Sequence, residues 1–359
     1  MKVYGSRISY FTGKLETYLR YKRIAYTSLP TPYGEADMLK DKVGAVQMPI
    51  VERDDGRWMS DTTPMLLHLE SEYPDKPIMP AAAAVGYIAR LIEDYADEWL
   101  WRPAMHYRWS YRYDRLLASN ILVDEVTGHL KLPRWLKRRL VQRRQTRHFV
   151  QRDGVTDETR AHVEQGYLNA LDNMSAMLRG RRYLLGNAPS LADFGMMGPM
   201  FRHFGQDPTP QEIMRNQAPA VFAWVARMWM ADRPDRPDFL SDIPEDARPM
   251  LQEICETHLE QLVANATASA KGQNLFHMTI QGCEYQNISV SRYRVWCLEQ
   301  LRRRFAALPD DAKSAVRASL PFGQAEILWA DQIAAKSAFN CDDHLPFGKA
   351  INVFRDGTP

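Results

Sequence analysis

The sequence predicts a small α/β domain, then an all-α domain, then a mainly helical C-terminal extension. Three observations predict it. Strand and helix signals alternate over roughly the first 80 residues. From Ala81 to about Ala231 the apolar residues recur at helical spacing. A Pro- and Asp-rich stretch, Pro234 to Pro249, then interrupts the chain before further helical signals.

Lys2 to Tyr4 reads as a short buried strand. Phe11, Leu15, Tyr18 and Leu19 share one helical face up to Tyr21. Ile24 to Leu29 reads as a second strand and Glu35 to Lys42 as a short helix. Pro49 to Glu52 and Arg57 to Met59 flank Asp54-Asp55-Gly56, a hairpin signal. A third helix opens at Asp61-Thr62 and ends before Pro74. The order β-α-β-α-β-β-α defines a first domain over residues 1–78, and Pro77 and Pro80 mark a linker.

A second domain spans 82–240. Val85 to Trp101 is amphipathic, and Arg160 to Leu178 is a helix closed by Gly180. Ser190-Leu191-Ala192-Asp193 has the spacing of a capping box, in which serine and aspartate each satisfy an exposed amide. Pro219 starts a further helix through Trp224 and Met228. In the extension, 245–359, Met250 to Ala270 is helical, and His277 to Val290 reads as a hairpin around Gly282. Ser291 to Ala307 and Asp310 to Leu320 are helical again.

Composition narrows the function classes. Of 359 residues, 45% are apolar and 25% charged, as in a globular protein with a substantial core. A formal net charge of +2 gives no overall pull toward nucleic acid or membrane. No apolar run is long enough to span a bilayer, and the N-terminus lacks the pattern of a secretory signal. Cys255, Cys283, Cys297 and Cys341 match neither a metal clip nor a redox pair, so reduced thiols in a cytoplasmic protein are expected. His277, Cys283, Cys297 and His344 are too scattered to be metal ligands, and no metal is expected.

Three loops carry candidate chemistry. Ser9 and Thr12 stand at the start of the first helix, where exposed amides and the helix dipole stabilise an anion such as a thiolate. The plainer reading of Ser9 is a helix cap. In Gln47-Met48-Pro49, a cis bond would offer the Met48 backbone to an extended peptide. Otherwise Pro49 is an ordinary edge-strand proline. Asp61 and Thr62 suit an α-amino-acid headgroup, the carboxylate taking an ammonium and the amides and hydroxyl a carboxylate. Simple capping is again the plainer reading.

Taken together, these segments resemble the glutathione transferase family over roughly residues 1–230. Ser9-Tyr10-Phe11 through Ile24 resembles its catalytic loop and first helix. Val46 to Val51 resembles its cis-proline segment, and Ser60 to Leu66 its γ-glutamyl-binding turn. Tyr183 to Phe194 resembles the capping motif of its helical domain and is the most specific match. The resemblance implies a thioredoxin-like N-terminal domain, an all-α second domain, and glutathione as co-substrate. It implies that Ser9 bonds the sulfur, as in serine-type classes, with Thr12 as rival and Tyr4 and Tyr10 as weaker ones. Met48, beside Pro49, would pair with the cysteinyl backbone, Asp61 and Thr62 would hold the γ-glutamyl group, and Gln47 would reach the glycyl end. Ser190 and Asp193 would serve folding.

The electrophile is then expected against Tyr10, Trp101, His106, Tyr107, Trp109 and Tyr111, with core packing as the plainer reading of those rings. The implied activity is attack of an activated glutathione thiolate on a hydrophobic or aromatic electrophile. Conjugation, ether or halide displacement, and isomerisation all fit. The implied setting is a cytoplasmic detoxifying homodimer. The alternative is a non-catalytic binding or assembly module on the same fold. With no cysteine before Cys255, a glutaredoxin-like reductase lacks its nucleophile. The basic run from Lys131 to Arg152, nine Lys and Arg with no acid, could bind an anionic partner or a membrane surface, with a solvated helix face as the plainer reading.

Overall fold

The computed structural model of the chain describes residues 1–231, 238–330, 336–337 and 345–351. Cys341 and His344 lie outside them, as does part of the 234–249 stretch.

The N-terminal unit holds a four-stranded sheet. Its strands are β1 (Lys2–Gly5), β2 (Thr27–Pro30), β3 (Ile50–Glu52) and β4 (Trp58–Ser60), in the order β2-β1-β3-β4. β1 and β2 are parallel and the other pairs antiparallel. Alternation along the strands decides the two faces. Val3, Val51 and Met59 point toward helices α1 (Tyr10–Tyr21) and α3 (Thr62–Glu72), which bury Leu15, Leu19, Leu66 and Leu69. Tyr4, Ile50 and Trp58 face α2 (Ala36–Val43) and its Leu39 and Val43, with Tyr4 stacked on Trp58 at 5.6 Å. Gly5 is required where β1 ends, because a Cβ there would lie 2.4 Å from the Thr12 hydroxyl oxygen.

The helical domain holds α4 (Ala83–Glu98), α5 (Trp101–Ser110), α6 (Arg112–Val126), α7 (Arg134–Gln145), α8 (Arg160–Met177), α9 (Leu191–Arg202), α10 (Pro208–Gln217) and α11 (Pro219–Trp229). α9 is its central helix, packed against both α1 and α4. It begins at the expected capping box. Buried Asp193 accepts from the Leu184 amide (2.9 Å), the Ser190 amide (2.9 Å), the Ser190 hydroxyl (2.7 Å) and the Trp224 indole (3.0 Å).

The expected linker is structured where it is described. Leu240 donates to the Leu185 carbonyl and the Asn187 amide to the Asp238 carbonyl, so this stretch lines the Tyr183–Gly186 turn. Pro249 belongs to the first turn of α12 (Arg248–Glu253), where its missing N–H leaves no bond unmade. A π-helical stretch (Ile254–Leu259) joins α12 to α13 (Glu260–Ala270). Then come the hairpin β5 (Leu275–Ile280) and β6 (Cys283–Ser289), α14 (Arg292–Ala306) and α15 (Asp310–Ser319). α14 and α15 pack on α4, and Val295, Leu298, Leu301, Phe305 and Val316 join the same apolar core as the first two units. The described residues from 245 onward therefore build no separate core. No described helix is long and apolar enough to cross a membrane.

Candidate active site

A cleft of about 790 Å³ opens where the sheet domain, α4, α5 and the extension meet. That volume lies within the range of small-molecule sites. Ser9, Tyr10, Gln47, Met48, Pro49, Asp61, Thr62, Trp101 and Trp109 all line it.

Ser9 has extended backbone and caps α1, its hydroxyl oxygen accepting the Thr12 amide at 3.3 Å. Capping uses the oxygen as acceptor and leaves the hydroxyl proton free to donate, so cap and anion donor are compatible roles. The loop carrying Ser9 is pinned from the helical domain. Arg108 donates to the Ile8 carbonyl at 2.6 Å, and Arg202 to the Ser6 carbonyl at 3.2 Å. Arg108 is itself fixed by Asp207 at 2.8 Å and by His203 Nε2 at 2.7 Å. Burial and the Arg108 charge push His203 well below the ordinary imidazole range, consistent with a neutral ring accepting that bond. Arg108 and Arg202 sit in helices with no local mark of this function. Only their three-dimensional reach to the 6–9 loop shows it.

The rival hydroxyls are engaged or turned away. Thr12 is buried against Gly5 and is absent from the cleft lining. Tyr10 donates to the Ala96 carbonyl at 2.5 Å, its ring fitting against Gly198, where a Cβ would come within 2.5 Å of it. Tyr4 donates to Glu52 at 2.7 Å.

The Met48–Pro49 peptide is cis. Gln47 donates from Nε2 to the Ile351 carbonyl at 3.2 Å. Asp61 precedes α3 with φ of 70°, a left-handed conformation uncommon for a residue with a side chain. Its carboxylate accepts a 3.1 Å bond from the Tyr293 hydroxyl of α14. Burial pushes the Asp61 carboxyl up to about 7, against the opposing pull of Tyr293 and Lys14. Below it, buried Lys14 pairs with Glu93 and Asp97 at 2.5 Å each. Burial lowers the Lys14 ammonium, but the two carboxylates outweigh it and hold it above the ordinary lysine range.

The apolar wall continues directly from the Ser9 loop. Tyr10 meets Trp101 edge-on at 5.3 Å, Phe11 stacks on Trp101 at 5.5 Å, and Trp101 meets Phe149 edge-on at 5.5 Å. From α5 the cleft receives Trp101, Met105, Arg108 and Trp109, the i, i+4, i+7, i+8 face of one helix. His106, Tyr107 and Tyr111, expected beside them, do not line it. His106 bonds Glu164 at 2.9 Å and Ser110 at 2.9 Å, Tyr111 donates to Glu164 at 2.7 Å, and Tyr107 packs on Tyr111 and Tyr167. Helical phase turns His106 and Tyr107 toward α8, and Tyr111, just past the end of α5 with extended backbone, reaches the same helix.

The extension closes the remaining side. Asn274, Leu275, Asn287, Ser289, Ser291, Tyr293 and Arg294 line the cleft, and Arg294 bonds Glu98 at 3.2 Å and Asp153 at 3.1 Å. Burial pushes Glu98 up to about 8, with Arg294 opposing. The basic run divides. Arg144, Arg147 and Arg152 line the cleft; Arg134 instead pairs with Asp124, and Lys137 donates to the Thr127 carbonyl.

Comparison with protein families finds two matches. The glutathione S-transferase N-terminal domain matches residues 3–77 and the glutathione S-transferase C-terminal domain matches residues 146–231. No curated protein matches the sequence. Similar solved structures include a glutathione S-transferase from Rhodospirillum rubrum F11, 16% identical with a TM-score of 0.43, covering 70% of this chain and 91% of that one. The β-etherase LigF from Sphingobium sp. strain SYK-6 is 16% identical with a TM-score of 0.45, covering 63% of this chain and 93% of its own. A glutathione S-transferase from Methylobacterium radiotolerans, in complex with glutathione sulfonate, is 15% identical with a TM-score of 0.40, covering 68% and 99%.

Proposed function

Because the chain belongs to the glutathione transferase superfamily, we propose that it is a glutathione-dependent transferase that ionises the glutathione thiol and directs it at an apolar or aromatic electrophile. One observation carries this reading: Ser9, Met48-Pro49 and Asp61-Thr62, far apart in sequence, line one cleft with the Trp101 wall.

In this reading the Ser9 hydroxyl donates to the sulfur at the N-terminus of α1. A free thiol with a pKa of about 8.5 is largely protonated at neutral pH, and a hydroxyl donor plus a helix N-terminus lowers that value. The Met48 backbone takes the cysteinyl unit. Asp61 takes the ammonium and Thr62 the carboxylate of the γ-glutamyl group, and Gln47 the glycyl end. Arg108 and Arg202 hold the Ser9 loop so that the donor is in position before the sulfur arrives. Trp101 and its neighbours receive the electrophile. Conjugation, ether or halide displacement and isomerisation all use these parts. A cytoplasmic site, a detoxifying role and a homodimer belong to the same reading and rest on family membership alone.

A second reading, a non-catalytic binding or assembly module, has one observation in its favour. Gln47 and Asp61 already hold contacts from the C-terminal extension, through the Ile351 carbonyl and the Tyr293 hydroxyl. Glutathione-affinity retention with turnover of model electrophiles supports the enzyme. Absence of both supports the module.

A further inference from the structure

The charges on the cleft wall are unequally matched. Asp61 accepts from Tyr293, Asp97 pairs with Lys14, Glu98 with Arg294, and Asp153 with both Arg102 and Arg294. Arg108 is paired with Asp207, and Arg152 bonds His148. Arg144 and Arg147 line the same cleft, yet neither forms a hydrogen bond or ion pair with any described residue. Exposure alone would make this unremarkable, since water solvates a surface guanidinium well. Their position makes it informative. They stand three residues apart beside Phe149, which meets Trp101, which in turn stacks on Phe11 two residues after Ser9. The segment from 131 to 152 holds no acid, and the next acid, Asp153, is already committed to two arginines. Trp109, on the same wall, has an indole N–H with no hydrogen-bond partner among the described residues. The wall therefore combines aromatic surface near the reacting loop with two uncommitted guanidinium groups and a spare donor, a set that complements a flat acid.

We propose that the second substrate is an aromatic acid, its ring against Trp101 and Phe149 and its carboxylate or sulfonate held by Arg144 and Arg147. This rests on the transferase reading and narrows it from any apolar electrophile to an anionic one. Of the remaining basic residues of the run, Arg134, Lys137, Arg138, Arg139 and Arg143 belong to α7 and are not part of the cleft lining.

The test compares chlorodinitrobenzoate with its methyl ester, two electrophiles matched in ring and leaving group. With the native protein, kcat/KM relative to the uncatalysed rate with free glutathione is expected to be about tenfold or more higher for the acid than for the ester, since charge-assisted bonds to an anion are the strong ones. Arg144→Glu/Arg147→Glu should abolish that preference, leaving ester turnover and the KM for glutathione unchanged. Equal rate enhancements over the uncatalysed reaction for acid and ester in the native protein would overturn the proposal. So would a variant that loses affinity for glutathione instead, because the arginines would then serve the peptide.

A second readout needs no turnover. Quenching of tryptophan fluorescence by unreactive dinitrobenzoate, without glutathione, should saturate, weaken with added salt and disappear in the double variant; the methyl ester should bind both proteins alike. If this holds while glutathione is neither bound nor used, the acid site stands and the transferase reading falls. If turnover is robust but acid and ester quench equally, the reverse is true. A circular dichroism melt matching the native protein excludes misfolding of the variant.

Discussion

The Tyr293 hydroxyl donates a 3.1 Å hydrogen bond to the Asp61 carboxylate, joining residues 232 positions apart. The contact brings the extension into the half of the cleft proposed for the amino-acid headgroup. Removing it should be felt in binding more than in chemistry. Tyr293→Phe is expected to weaken the affinity for S-methylglutathione by about three- to tenfold, the net worth of one ordinary hydrogen bond. kcat should be nearly unchanged. Isothermal titration together with the split between KM and kcat checks this.

Asp61 also sets a pH dependence. Only the ionised carboxylate attracts an ammonium, and burial holds this carboxyl near 7. Affinity for S-methylglutathione, whose sulfur cannot ionise, should therefore rise as pH increases through about 7 and then level off. Asp61→Asn should bind weakly with no such rise. The sign for stability is opposite. The folded state holds this proton more tightly than the unfolded chain, whose aspartates titrate near a pKa of about 3.9. Asp61 therefore favours folding most at low pH, and that contribution is lost as pH climbs through about 7. In Asp61→Asn, denaturation midpoints followed from acid to neutral pH should lack that decline.

Asp193 should act on folding alone. Its carboxylate satisfies three buried donors around the start of α9 and the Trp224 indole. Asp193→Ala leaves those donors without an acceptor in the interior and is expected to cost about 3–5 kcal/mol. A urea titration measures it. Any folded fraction should bind glutathione as the native protein does.

Much of this was legible in the sequence because it is local. The capping box at Ser190, the hairpin around Gly56 and the helix starts at Ser9 and Asp61 are each written within a few neighbouring residues. A local pattern also brings the candidate glutathione-site residues to helix starts or the strand edge at Pro49. The aromatic wall was only half legible. Tyr107 and Trp109 are equally aromatic, and choosing between them needs the phase of α5, which Trp101, Met105 and Arg108 share with Trp109. Contacts made through space left no local trace. Tyr293 reads as an ordinary residue at the start of a helix, and Arg108 as one more arginine among aromatics. Its hold on the Ile8 carbonyl depends on how α5 meets the sheet domain.

Whether the Ser9 hydroxyl keeps the sulfur ionised is read from the ultraviolet absorbance of the thiolate in the glutathione complex. The native protein should show that band at neutral pH. Ser9→Ala, which loses one helix cap at about 1 kcal/mol and remains folded, should lose the band, while Thr12→Ala keeps it. An undiminished thiolate band in Ser9→Ala, with glutathione bound, would show that the Ser9 hydroxyl does not stabilise the thiolate.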